Sequence, residues 1–126
     1  MKECASDAVQ TAEEEFNIKL DLTQESLGSV DDVLLSFVEK YNDKALEDNA
    51  VFTICNIYGA YIGEVFKSIA GGDWRYDQSN PEAPFVVLDV GEHSYAFSGI
   101  CYERLVNNSN ISVKAYFEQA LANQVQ

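Results

Sequence analysis

Between Ala45 and Ala70 the chain repeats apolar residues at helical spacing without a break. Val51, Ile54, Cys55, Tyr58, Ile62, Val65, Phe66 and Ile69 form one continuous stripe. A second set, Phe52, Ile57, Ala60 and Tyr61, covers part of the remaining surface. A helix apolar on most sides is normally buried between layers. This one is expected at the centre, with every other element arranged around it. Gly59 and Gly63 lie one turn apart, so another backbone is expected to approach there. Gly71-Gly72 supplies the stop. Asn56, Glu64 and Lys67 interrupt the apolar surface, and no run approaches the ~18 apolar residues of a membrane span.

Around this helix the spacing changes repeatedly. Ser6 to Phe16 reads as a weakly amphipathic N-terminal helix carrying Glu13-Glu14-Glu15. Acids at its C-terminal end oppose the helix dipole, so residues 1–17 are expected to dock loosely and to fray. Ile18 to Leu22 alternates apolar and polar, which predicts a short half-buried strand. Ser26 and Ser29 offer caps for a helix through Val30, Leu34, Phe37, Val38 and Tyr41, with Asp31 and Asp32 in its first turn and Asn42-Asp43 as its end. Beyond the central helix, Trp74 and Tyr76 alternate with Arg75 and Asp77. A loop with both prolines, residues 78–84, precedes the strongest strand, Phe85 to Val90. Gly91-Glu92 predicts a tight turn into His93 to Phe97. A short helix over Gly99 to Val106, a break at residues 107–110 and a last helix on Val113, Tyr116, Phe117, Ala120 and Leu121 complete the chain. Segregated helices and strands argue an α+β fold: a long central helix with flanking helices packed on a small antiparallel sheet, forming a single domain over residues 18–126.

The chain has 126 residues, 21 acidic and 8 basic, for a net charge of −13. Nucleic-acid binding needs clustered Lys and Arg and is disfavoured, as is attraction to an anionic membrane. The acidity is uneven: residues 1–50 hold 13 acids and 4 basic residues. A basic protein partner would be steered toward that half. Cys4, Cys55 and Cys101 form no CxxC pair, which suits a reducing, cytoplasmic compartment. The opening residues place acids where a signal peptide has its apolar core. The triplets Asn107-Asn108-Ser109 and Asn110-Ile111-Ser112 read as chance matches to a glycosylation pattern.

No phosphate-binding or dinucleotide glycine motif occurs, so no cofactor is expected. One His and three scattered Cys do not make a zinc set, and no EF-hand spacing is present. Asp31-Asp32 and Glu47-Asp48 are adjacent on helices and read as solvated faces or dipole partners. Cys55 lies on the apolar stripe and reads as packing. Glu64 is the anomaly, a carboxylate inside the most apolar helix. If buried it needs a partner, and Arg75, Arg104 or Lys114 are the candidates. Trp74, directly after Gly71-Gly72-Asp73, is expected to anchor the central helix to the sheet. His93, the one imidazole, sits near the predicted turn.

Several segments together resemble a family of small bacterial domains of unknown function. They are Leu20 to Leu27 followed by Val30-Asp31, Gly59-Ala60-Tyr61-Ile62-Gly63-Glu64 and Gly71-Gly72-Asp73-Trp74. Such domains run through an acidic lead-in and helix, a GAYxGE-like segment, a GGxW element, a hairpin and a basic KR-like helix. Glu103-Arg104-Leu105 stands where that basic helix belongs, which is a departure. The resemblance covers about residues 18–122. It implies a bacterial source and an accessory or immunity-like role, with no catalytic residue to carry over.

The sequence therefore favours a non-enzymatic protein-binding domain that engages a basic partner, with an immunity protein or inhibitor as the sharper version. Alternatives are a small-ligand domain with a pocket near Glu64, Trp74 and the hairpin, and a small enzyme using Glu64 or His93. Tyr61, Glu64, Trp74, His93 and Arg104 are the candidate site residues.

Overall fold

A computed structural model of the chain describes residues 2–40, 48–77, 85–107 and 111–124. The order is α1 (Lys2–Phe16), a 3₁₀ turn (Gln24–Ser26), α2 (Leu27–Lys40), α3 (Asp48–Ala70), β1 (Asp73–Asp77), β2 (Phe85–Val90), β3 (His93–Tyr95), α4 (Phe97–Tyr102), a π-helical turn (Glu103–Asn107) and α5 (Val113–Gln124). The fold is α+β, with three antiparallel strands in the order β1-β2-β3. The expected helix end at Asn42-Asp43, Glu47, the proline loop and residues 108–110, with the glycosylation-like triplets they carry, lie outside the described residues.

α3 is the central helix. Tyr58, Tyr61, Ile62, Val65 and Phe66 are all essentially inaccessible along it. It packs most extensively against α1 on one side and α4 on another. Phe66 anchors one aromatic cluster, with ring centroids 5.1 Å from Tyr95 and 5.4 Å from both Phe97 and Phe117. Phe37 anchors a second between Phe16 and Tyr58. Two members of the apolar pattern depart from it: Phe52 is 61 % exposed and Ile69 48 %.

The two glycines of α3 do different jobs. A Cβ on Gly59 would lie 2.7 Å from the Ser98 backbone nitrogen, so the start of α4 does approach there as backbone. A Cβ on Gly63 would lie 2.1 Å from Cη2 of Trp74, so at this turn the neighbour is an indole. In the sheet, Trp74 pairs with Leu88 and Arg75 with Val87, while Val90 pairs with His93 across the two-residue turn. Gly91, with φ of 60°, supplies the left-handed conformation that turn needs.

α1 is not loosely docked. Ala5, Ala8 and Ala12 are buried against the core, and the Tyr58 hydroxyl donates to the Ala8 carbonyl at 3.1 Å. Small side chains let the helices lie close, an effect the weak amphipathic pattern hides. Nor does its acidic end unravel. Asn17 adopts φ of 54° and donates to Glu13 O, while Ile18 N–H reaches back to Ala12 O. A left-handed residue after the last turn is a common helix stop.

The predicted strand over Ile18 to Leu22 does not form. Leu20 is buried between exposed Lys19 and Asp21, but Leu22 is itself exposed, so the segment is a connector that lays only its middle on the core, and apolar alternation over so short a run does not require a strand. Its Ile18 N–H goes to the Ala12 carbonyl and its Leu22 N–H to the Tyr61 hydroxyl rather than to a neighbouring strand. Ser26 and Ser29 do not cap α2. Ser26 Oγ donates back to Thr23 O, and Thr23 caps the 3₁₀ turn, accepting from Ser26 N–H at 3.3 Å, with the turn running directly into α2. The short helix after the hairpin starts at Phe97, two residues earlier than expected, and closes in the π-helical turn. In α5, Val113, Phe117 and Ala120 are buried as expected, while Tyr116 is partly exposed.

Candidate functional site

Glu64 sits one helical turn beyond Ala60 and presents a half-buried carboxylate. Its Oε1 accepts from Trp74 Nε1 at 3.3 Å. Gly63 makes this contact possible, because any side chain there would occupy the space of the indole. Trp74 thereby joins α3 to β1 and packs partly buried against the core. None of the three expected cations neutralises Glu64. Side chains alternate across a strand, so with Trp74 turned toward α3, Arg75 faces away. There it pairs with Asp89, Nε to Oδ2 at 2.8 Å. Arg104 pairs with Asp31, and Lys114 opens α5 beside that pair.

Tyr61, three residues before Glu64, organises the neighbouring wall. Leu22 N–H donates to the Tyr61 hydroxyl at 2.7 Å. That hydroxyl lies 2.6 Å from Ser26 Oγ, which itself donates to Thr23 O at 2.6 Å. A serine hydroxyl has one proton, so Tyr61 donates to Ser26, and the bonds run in one direction from Leu22 to Thr23. Burial pushes the Tyr61 phenol above its ordinary range, which keeps it in the donating form. Asp21 Oδ1 closes the loop from outside, accepting from Thr23 Oγ1 at 2.6 Å and Thr23 N–H at 3.3 Å. Leu22 is held at φ of 61°, a left-handed conformation that a side chain such as leucine rarely takes. Its side chain remains 48 % exposed.

Glu64, Leu22, Ala5 and Ser68 together line a cleft of about 380 Å³. Its described walls come from α1, the Leu22 loop and α3, with none from the hairpin. On the other side of Trp74, a crevice lined by Gly59, Ala60, Val86 and Ser98 holds only about 10 Å³, roughly one water. Among the described residues, the pocket expected near Glu64, Trp74 and the hairpin is thus a cleft that Glu64 lines and Trp74 does not, while Trp74 lines only the small crevice toward Val86 and Ser98.

The remaining candidates lie elsewhere. Arg104 is 7 % exposed and acts as a fastener. Its Nε and Nη2 donate to the Asp31 carbonyl at 3.2 and 3.1 Å, and its Nη1 to the Ile111 carbonyl. Asp31, expected on a solvated face or as a dipole partner of its own helix, instead caps another helix. Its carboxylate accepts from Val113 N–H at 2.7 Å, Lys114 N–H at 3.1 Å and Ser112 Oγ at 3.0 Å. It is a dipole partner, but of α5 rather than of its own helix. His93 is exposed at the hairpin, stacked on Tyr95 with centroids 6.1 Å apart. Cys55 and Cys101 are buried free thiols. Burial pushes Cys55 up to about 12 and Cys101 well above the usual thiol range, so neither forms the thiolate that nucleophilic chemistry needs.

Among the described residues, no hydrogen bond joins His93 to a cysteine or to Glu64, and no group of three His, Cys, Asp or Glu side chains is placed to hold a metal. The structure thus brings Tyr61, Glu64 and Trp74 into one neighbourhood and leaves His93 and Arg104 outside it. Ala5, Leu22 and Ser68 belong to that neighbourhood and were not singled out from the sequence. Only Ser68 carried a signal, since it lies four residues from Glu64 on the same helical face. No family model, curated protein or solved structure matches the chain.

Proposed function

We propose that this chain is a non-enzymatic protein-binding domain that engages the basic surface of a protein partner, in the manner of an immunity protein or inhibitor. The observation that carries the reading is the position of the Glu64 cleft within the acid-rich part of the molecule. Two of its walls, Ala5 and Leu22, come from the N-terminal segment. That segment exposes Glu3, Asp7, Asp21, Glu25 and Asp32, with Lys19 its one exposed cation among the described side chains. A field of one sign around a cleft speeds encounter with a partner of the opposite sign and rejects like-charged competitors. The three free cysteines suit a reducing compartment such as the bacterial cytoplasm, the source implied by the GAYxGE-like and GGxW-like segments.

The test is capture on the tagged chain at low and high salt, followed by reconstitution with the purified captured protein. The reading expects a complex that weakens steeply with salt, and a slower association for the Glu3→Lys, Glu25→Lys double variant, both at exposed positions. Absence of a basic partner at every ionic strength would reject it. A second reading, a small-ligand domain, is favoured by the cleft volume, which falls within the range of small-molecule sites of roughly 300–1,000 Å³. An enzyme acting through Glu64 or His93 lacks a supporting pair of groups in the described structure.

A further inference from the structure

We infer that the Glu64 cleft is a receptor for a single cationic side chain, lysine or arginine, supplied by the basic partner. The inference rests on the reading above for the source of that side chain, and on the cleft itself for its chemistry. Glu64 engages a neutral donor, Trp74 Nε1, through Oε1. Its Oε2 carries no hydrogen bond among the described residues. An anion would meet this carboxylate's repulsion. A neutral apolar group would strip it of water without replacing the lost bonds, at a cost that an ammonium or guanidinium avoids by donating to it. A metal ion needs several ligands, and among the described residues the other lining side chains, Ala5, Leu22 and Ser68, offer at most one hydroxyl. That hydroxyl already donates to Val65 O at 2.6 Å.

The walls fit the stem of such a side chain. Lysine and arginine lay their methylenes along apolar surface and keep the charged head on a polar group. Leu22 offers that surface, and Ala5 is small enough to leave room beside it. Leu22 is preset, because Tyr61 and Asp21 fix the loop on both sides. A wall that needs no ordering on binding retains more of the contact energy as affinity. Carboxylate and reporter are also coupled, since the chain's single tryptophan donates its indole N–H to Glu64.

That indole N–H makes the test direct. ¹⁵N-labelled protein is titrated with Nα-acetyl-lysine N-methylamide, Nα-acetyl-arginine N-methylamide and the uncharged norleucine counterpart, following the one indole cross-peak. The cationic probes should move it saturably and in a salt-sensitive way, and the norleucine probe should not. Glu64→Gln keeps an oxygen for the indole but loses the charge, and should weaken the response at least about tenfold. An equal response to norleucine, no response to either cation, or wild-type titration of Glu64→Gln overturns the assignment. The two readings separate cleanly. If a basic protein binds while the indole stays still, the protein-binding reading stands and the cleft assignment falls. If the probes bind but no basic protein does at any salt, the partner as source is overturned and the cation belongs to a small ligand.

Discussion

Asp31→Ala removes the most heavily used carboxylate in the described structure. It takes away the cap on two N–H groups of α5, the Ser112 hydroxyl bond and the ion pair to Arg104. The pair is largely enclosed, with side-chain exposures of 9 % for Arg104 and 14 % for Asp31. Breaking a buried pair by deleting one partner costs about 3–5 kcal/mol, and losing a helix cap about 1 kcal/mol. Arg104 keeps its bonds to the Asp31 and Ile111 carbonyls, which places the expected loss at about 3–4 kcal/mol. For a domain of this size that lowers the thermal midpoint by roughly 10–20 °C. Urea melts of wild type, Asp31→Ala, Arg104→Met and the double variant should show the single losses exceeding the double loss by about 1 kcal/mol or more. A loss below about 0.5 kcal/mol for Asp31→Ala would return Asp31 to a solvated face, and strict additivity would dissolve the pair.

Other outcomes follow from the same structure. Gly59→Ala should destabilise by about 1–2 kcal/mol despite better helix propensity, because its Cβ meets the Ser98 backbone at 2.7 Å; Gly99→Ala, with nothing within 4 Å, should stabilise by about 0.5–1 kcal/mol, and equal signs in chemical melts would contradict this packing. Trp74→Ala should cost about 2–3 kcal/mol, below the ~3–5 of a fully buried aromatic, since the indole is only partly covered. Under native conditions a thiol reagent should label Cys4 well ahead of Cys55 and Cys101, which become reactive on unfolding; rapid labelling of all three would contradict their burial. Alkaline stability has a defined sign. Cys55, Cys101, Tyr58 and Tyr61 all have folded pKa values raised by burial, so the unfolded chain loses these protons first. Their contribution is full below about pH 9 and falls as pH rises toward the folded value of about 12 for Cys55, so urea midpoints should drop across that window; a flat profile would refute the assignment.

The central helix and the hairpin were legible because long periodicity and a Gly-led tight turn are local signals. The α+β architecture followed from them. Ile18 to Leu22 misled because apolar alternation reports which side faces a core, not whether a neighbouring strand exists. Asp31 misled for a related reason. Its place just after the expected Ser29 cap suggested a dipole role in its own helix, whereas α2 begins at Leu27 with no acid in its first turn and the partners of Asp31 lie at residues 104 and 112–114, beyond the reach of local spacing. Glu64 was visible as an anomaly, but its indole partner was not. That contact depends on the facing of Trp74 and on the missing side chain of Gly63. Leu22 and Ala5 became part of the site only once α1 and the Tyr61-bound loop were folded against α3.

The most direct test of the account is the hydrogen-exchange footprint of the complex with a purified basic protein retained at low salt. The account predicts slowed exchange in α1 and across Leu22 to Glu25, with β3 and the Gly91-Glu92 turn unchanged. Protection confined to the hairpin, with α1 and the Leu22 loop exchanging as in the free chain, would contradict it.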